Sequence, residues 1–153
     1  MTPFVIRLCI LLLVALFTWL IVWSGRRFVE QRRQRALNAL PTPIPFVATD
    51  EQETLLPHVR ILAFSSEDCT PCHRLQHPAL LRVQNMRGES VSVTEIDAPA
   101  SPELAQRYQV LTVPTTVVLD ADGKAHAVNY GFANAHRLLE QVDAILSQST
   151  QHA

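Results

Sequence analysis

Cysteine is scarce in this 153-residue chain, which has three: Cys9, Cys69 and Cys72. That is too few to staple a small domain with disulfides, so an apolar core must carry the fold. A chain of this length supplies one core of ordinary size and an accessory segment, and a second independent domain is not expected. Positive charge is scarce after residue 35, where seven Lys or Arg face thirteen Asp or Glu. Phosphate binding needs a basic face, so this acidic body argues against nucleic acid as a partner. No internal repeat or low-complexity tract is visible.

Charge and proline are both missing from Leu8 to Trp23 (LCILLLVALFTWLIVW). With Phe4 to Ile6 and a snorkelling Arg7 the apolar segment reaches about 20 residues, enough to cross the hydrocarbon layer as a helix. A cleaved signal peptide would need a basic start, a shorter apolar stretch and a small-residue cleavage site. Instead, Trp19 and Trp23 form an aromatic belt and Arg26-Arg27 a charged stop. Residues 4–23 therefore read as a retained transmembrane anchor, a single pass through the cell membrane. Cys9 lies inside it, facing lipid or another helix.

Six arginines oppose only Glu30 in the first 35 residues, and five of the six follow the apolar segment. Positive charge stays on the cytoplasmic side, which predicts a cytoplasmic face for the rest of the chain. The competing reading puts the domain on the extracytoplasmic face, with the basic stretch binding anionic headgroups after orientation is fixed some other way. Residues 24–46 are read as a basic juxtamembrane segment and a linker, because Pro41-Thr42-Pro43-Ile44-Pro45 forbids a helix and favours an extended spacer.

Residues 47–148 are read as one α/β domain. Val59 to Ser65 (VRILAFS) is a buried strand, and Cys72 to Met86 a helix bent where Pro78 removes a backbone donor. Val91 to Ile96 is a second strand. Ser101 is the N-cap and Pro102 the first residue of a short helix to Tyr108. Thr115 to Leu119, the turn Asp120-Ala121-Asp122-Gly123 and a strand over Lys124 to Asn129 form a hairpin. Asn134 onward, with Leu138, Leu139, Val142, Ile145 and Leu146, is an amphipathic closing helix. The order predicts a mixed central sheet flanked by helices, with parallel pairing first and a hairpin at the edge.

The chemistry centres on Cys69-Thr70-Pro71-Cys72, which follows the buried strand and opens the long helix. Unpaired N–H groups and the macrodipole at a helix start favour an anion, so a thiol there loses its proton more easily. Cys69 is the better placed and would be the exposed attacking thiolate. Cys72, one turn further in, would resolve the mixed disulfide and leave Cys69–Cys72 oxidised. Pro71 suits the first helical turn, and Thr70 is the variable position that tunes the redox potential.

The stretch ILAFSSEDCTPC, with Glu95-Ile96-Asp97, Leu111-Thr112-Val113-Pro114-Thr115, the ADGK hairpin and Gly131, resembles the thioredoxin family over roughly Val59 to Leu146. The resemblance implies a thioredoxin-like fold and a thiol-disulfide oxidoreductase with Cys69 and Cys72 as the catalytic pair. It implies no metal and no cofactor beyond the redox-active disulfide. It further implies a cis peptide bond at Pro114 and substrate contact at Val113 and Pro114, alongside Thr70 and Pro71. Partners would be protein substrates with thiols or disulfides and an electron donor or acceptor protein. The family usually places a buried aspartate where Ala63 stands and a tryptophan where Asp68 stands. Glu67 and Asp68 disfavour a thiolate at Cys69, while a protonated His73 favours it.

Three other readings compete. Cys69-Thr70-Pro71-Cys72-His73 matches the c-type haem attachment signature, with His73 as axial ligand and Met86 as a distal one. Cys69, Cys72, His73 and His77 could bind zinc, although His73 and His77 lie one turn apart on the same helix. A redox-inactive interaction or assembly module held at the membrane is the third. His126 and His136 have no partner visible in the sequence and read as surface residues. Tyr108, Tyr130 and Phe132 read as core or edge packing, with Phe132 a candidate to flank the active-site groove.

Overall fold

A computed structural model of the chain describes residues 2–38 and 59–151. The Pro41–Pro45 spacer lies outside the described residues. The chain divides into two compact units, Met1–Gln34 and Arg35–Ala153.

The first unit is helical. Helix α1 runs over Thr2–Leu37 without a break, so the basic stretch from Arg26 to Arg35 continues the helix begun by the apolar segment. Its apolar side chains from Ile10 to Trp23 are exposed along the helix. Trp19 and Trp23 stack one turn apart, and the Arg27 guanidinium sits 4.9 Å above the Trp23 ring. The helix is long and apolar enough to cross a membrane, a test that a signal sequence near an N-terminus also passes.

The second unit contains β1 (Val59–Ser65), a π turn (Cys72–Gln76), α2 (His77–Arg87) and β2 (Val91–Asp97). It continues with α3 (Pro102–Arg107), β3 (Thr115–Asp120), β4 (Ala125–Tyr130) and α4 (Ala135–Gln151). The sheet order is β2-β1-β3-β4, with β1 parallel to β2 and antiparallel to β3, and β3 antiparallel to β4. Alternation along β1 divides the core. Val59, Ile61 and Ala63 face Leu80 and Val83 of α2 and Leu138, Val142 and Ile145 of α4. Leu62 and Phe64 face the other way, against Ile96, Tyr108, Val117 and Leu119. The first face thus buries the apolar stripes of α2 and α4, while the second closes around Phe64 and Tyr108 with Leu104 and Ala105 of α3 only partly buried against it.

Three local features differ from the sequence reading. The irregularity in the long helix lies before Pro78, where the His77 N–H reaches back five residues to the Cys72 carbonyl. Pro78 then sits in the first turn of α2, where no donor is required of it. Inside a regular helix its ring would crowd the carbonyl of Arg74, and the wider turn relieves this. Ser101 stands at the N-cap of α3 but makes no side-chain cap bond, and its carbonyl accepts from Ala105 N–H at 3.0 Å instead. Lys124 belongs to the turn, because its N–H donates to Asp120 Oδ1 at 2.9 Å while its carbonyl accepts from Asp120 N–H. The closing helix is capped by Asn134, whose Oδ1 accepts from Arg137 N–H at 2.9 Å.

Candidate active site at the β1–α2 junction

β1 ends at Ser65, and the chain turns through Ser66, Glu67 and Asp68 before helical backbone begins at Thr70. Cys69 N–H donates to the Ser66 carbonyl at 3.0 Å, which closes that turn. The Cys69 carbonyl accepts from Cys72 N–H at 3.0 Å and His73 N–H at 3.3 Å, so Cys69 occupies the N-cap position. Cys72 N–H also lies 3.2 Å from Cys69 Sγ, aiming a backbone donor at that sulfur. Cys69 and Cys72 are joined in a disulfide with their Cα atoms 5.3 Å apart.

The cysteines are more covered than the sequence reading expects. In the disulfide Cys69 is 7 % exposed and Cys72 4 %. The reason is the N-cap geometry, which turns the Cys69 side chain back over its own first helical turn. Thr70 and Pro71 are exposed and form the outer rim. Glu67 and Asp68 are exposed as well, and His73 Nε2 donates to the Glu67 carbonyl at 3.1 Å.

The Val113–Pro114 peptide bond is cis. Pro114 is buried and shares a small cavity with Cys72, so the structure brings these sequence-distant residues together. The Pro114 carbonyl accepts from Gly131 N–H at 2.9 Å, tying this loop to the end of β4. Thr115 Oγ1 donates to the Thr112 carbonyl at 2.6 Å and fixes the loop from within. Val113, half-buried, lines a groove of about 280 Å³ with Ser66, Ala98, Val110 and Leu111. Phe132 is exposed one residue after Gly131.

Sequence reasoning passed over Gln76. It is 3 % exposed, its amide donates to the Ala133 carbonyl at 3.2 Å, and its Oε1 accepts from Ala133 N–H at 2.9 Å. The π turn and the loop before α4 are therefore clamped together behind the cysteines. A glutamine within a helix carries no sequence signal for this. Glu95 was passed over as a site residue too, and its carboxylate lies 2.6 Å from His77 Nδ1.

These positions bear on the metal and haem readings. Among the described residues no group of three or more His, Cys, Asp or Glu is placed to hold a metal ion. Met86 is exposed near the end of α2. His126 and His136 do find partners, Asp120 at 2.7 Å and Glu140 at 3.6 Å. Tyr108 is core, 2 % exposed and packed on Phe64 with ring centroids 6.2 Å apart, and this burial raises its phenol pKa above the usual range.

The family model for a thioredoxin-like domain matches residues 57–146. The chain belongs to the thioredoxin-like family. It is 30% identical over 101 residues to the thioredoxin of Listeria monocytogenes, covering 66% of this chain and 91% of that one. It is 32% identical over 81 residues to the thioredoxin of Rhodospirillum rubrum, covering 53% and 76%. Among solved structures, a thioredoxin from Halobacterium salinarum superposes with a TM-score of 0.52 at 25% identity, over 58% of this chain and 75% of the other. Family membership and the Cys69–Cys72 disulfide together make this thioredoxin-like chain a thiol-disulfide oxidoreductase. The family-model match falls within the second unit.

Proposed function

We propose that the chain carries out thiol-disulfide exchange on protein substrates at a membrane surface, with Cys69 as nucleophile and Cys72 as resolving thiol. The observation that carries this reading is the Cys72 N–H held 3.2 Å from Cys69 Sγ at a helix start. A backbone donor and the helix dipole favour the thiolate at that position and not at Cys72.

For a substrate disulfide, the Cys69 thiolate attacks one sulfur, forms a mixed disulfide and releases the other sulfur as a thiolate. Cys72 then loses its proton and attacks Cys69 Sγ, which expels the second substrate thiolate and closes the Cys69–Cys72 disulfide. The two electrons gained by the substrate come from the two cysteines, so the couple needs no cofactor. A second protein must reduce or oxidise the pair to complete a cycle. Thr70, Pro71, Val113 and Pro114 form the substrate-facing rim. The groove beside Val113 suits an apolar side chain next to the substrate cysteine.

Trapping tests the residue roles. Cys72→Ser should accumulate a covalent adduct with a disulfide substrate, released by dithiothreitol, and Cys69→Ser should form none. Disulfide reduction by the unsubstituted chain no faster than by Cys69→Ser would leave the chain a binding module.

The exposed apolar helix and the basic residues after it support single-pass anchoring in the cell membrane through residues 4–23. The charge asymmetry supports a domain on the cytoplasmic face.

A further inference from the structure

Resolution by Cys72 requires its thiol to give up a proton, yet Cys72 is 4 % exposed. Its surroundings hold a cavity of about 20 Å³. About 10–15 Å³ accommodates one water, so the space is large enough for a single relay molecule. The titratable groups that line it are Cys72 and His73 from the π turn, His77 from α2 and Glu95 from β2. β1 contributes Ala63 and Ser65, neither of which can take a proton at neutral pH.

The register explains how a carboxylate reaches this place. Glu95 is the parallel-strand partner of Ala63, and side chains of paired residues lie on the same sheet face. Ala63 faces α2, so Glu95 does too, and its Oε1 meets His77 Nδ1 at 2.6 Å. A carboxylate accepts, so neutral His77 donates through Nδ1–H and keeps Nε2 as its acceptor. His73 is arranged in the opposite sense. Its Nε2 is committed as a donor to the Glu67 carbonyl.

We propose that His77, held in one tautomer by Glu95, is the proton acceptor for Cys72 during resolution, acting through the cavity. The proposal rests on the assignment of Cys72 as resolving thiol. The Cys72 S–H proton passes through a water to His77 Nε2. The Cys72 sulfur, now a thiolate, attacks Cys69 Sγ. The bond between Cys69 and the substrate sulfur breaks, and that sulfur leaves with the electron pair and takes its proton from solvent. In the reverse direction His77 returns the proton to Cys72. His77 is thus a group dedicated to the second half of the exchange, and Glu95 is a positioning residue.

A single-turnover experiment separates the halves. The full chain in detergent, carrying Cys9→Ala, is reduced and mixed with a symmetrical aromatic disulfide whose thiolate is coloured. The first release of colour reports attack by Cys69, and the second reports resolution by Cys72. His77→Ala should lower the ratio of second to first rate at least tenfold and flatten its rise with pH. Added imidazole should restore much of that ratio. His77→Gln should behave like His77→Ala, and Glu95→Gln should show a smaller loss. His136→Gln, a control at an exposed histidine on α4, should keep the wild-type ratio.

An unchanged ratio in His77→Ala would overturn the proposal. So would a lowered ratio that imidazole does not restore, because that marks a packing role. Absence of a second release in the unsubstituted chain would remove Cys72 as resolving thiol and this proposal with it, a failure distinct from the other two.

Discussion

Gln76 shows how a residue one turn beyond the cysteines holds the site together. Both of its amide atoms are used on the backbone of Ala133, and neither end of that contact meets water. Replacing it with leucine keeps the volume but strands a buried N–H and a buried carbonyl, each of which costs about 1–3 kcal/mol. Gln76→Leu should therefore destabilise the domain by about 2–4 kcal/mol, read as a fall in melting temperature of the solubilised chain. Gln76→Glu should recover part of the loss only at acidic pH, where a protonated carboxyl donates to the Ala133 carbonyl and accepts from its N–H, whereas an ionised one turns a second oxygen on that carbonyl. Recovery confined to low pH would separate hydrogen bonding from packing.

The same residue marks a limit of sequence reading. Cys69 and Cys72 announce themselves through residue type and spacing and Pro114 through the family resemblance, and the structure places the Cys72–Pro114 pair on one cavity. Gln76, His77 and Glu95 do not. Gln76 is buried because the turn around it widens, and Glu95 meets His77 because β2 pairs with β1 in one register out of several. A shift of one residue would have turned Glu95 to the opposite face. Such contacts depend on pairing between segments and leave no local signature.

At the scale of elements, the strands were legible because their apolar runs are short, β-branched and bounded by turn residues. β1 begins and ends where the run Val59 to Ser65 does. The insertion of β3 beside β1, antiparallel, was not legible, since periodicity says which face is buried but not which neighbour a strand takes.

The helices on the α2 face are joined by a fork between the end of α2 and the middle of α4, with Arg87 Nε and a terminal nitrogen bonding the two Asp143 oxygens at 2.7 and 2.6 Å. This contact holds the Asp143 carboxyl below the usual aspartate range and raises the Arg87 guanidinium. A depressed carboxyl pKa contributes stability that is present above the unfolded value and lost as pH falls through the folded one. The stability difference between wild type and Asp143→Asn should therefore be small and constant near neutrality. It should vanish on acidification past the ordinary aspartate range and shrink in high salt, because the pair is solvent-exposed.

Gly88, which ends α2, offers a sharper probe. Its φ of 54° and ψ of −130° belong to glycine, and nothing lies within 4 Å of where a Cβ would be. Gly88→Ala should cost about 1–3 kcal/mol in unfolding experiments, from backbone strain alone.

At the scale of the whole chain, the charge division between the units determines what a membrane does to each. Five arginines follow the apolar run in α1, while the chain after residue 35 is net acidic. Each arginine close to an anionic leaflet contributes about 1 kcal/mol, and the acidic domain gains nothing there. The basic end of α1 should therefore lie at the headgroups of the cytoplasmic leaflet, with the domain on that same side. A reporter cysteine can test this. His136→Cys places a thiol where the side chain is 82% exposed, in a chain that also carries Cys69→Ser and Cys72→Ser. Cys9 lies within the apolar run and should be shielded from a membrane-impermeant maleimide. The maleimide should then label inside-out vesicles and leave right-side-out vesicles unlabelled until detergent is added. Replacing Arg26, Arg27, Arg32, Arg33 and Arg35 with glutamine while adding lysines before the apolar segment should reverse the pattern, because orientation follows the Lys and Arg bias across the span. Labelling of the unaltered basic segment in right-side-out vesicles would place the domain on the extracytoplasmic face. Release of the chain by alkaline carbonate would overturn the anchor itself.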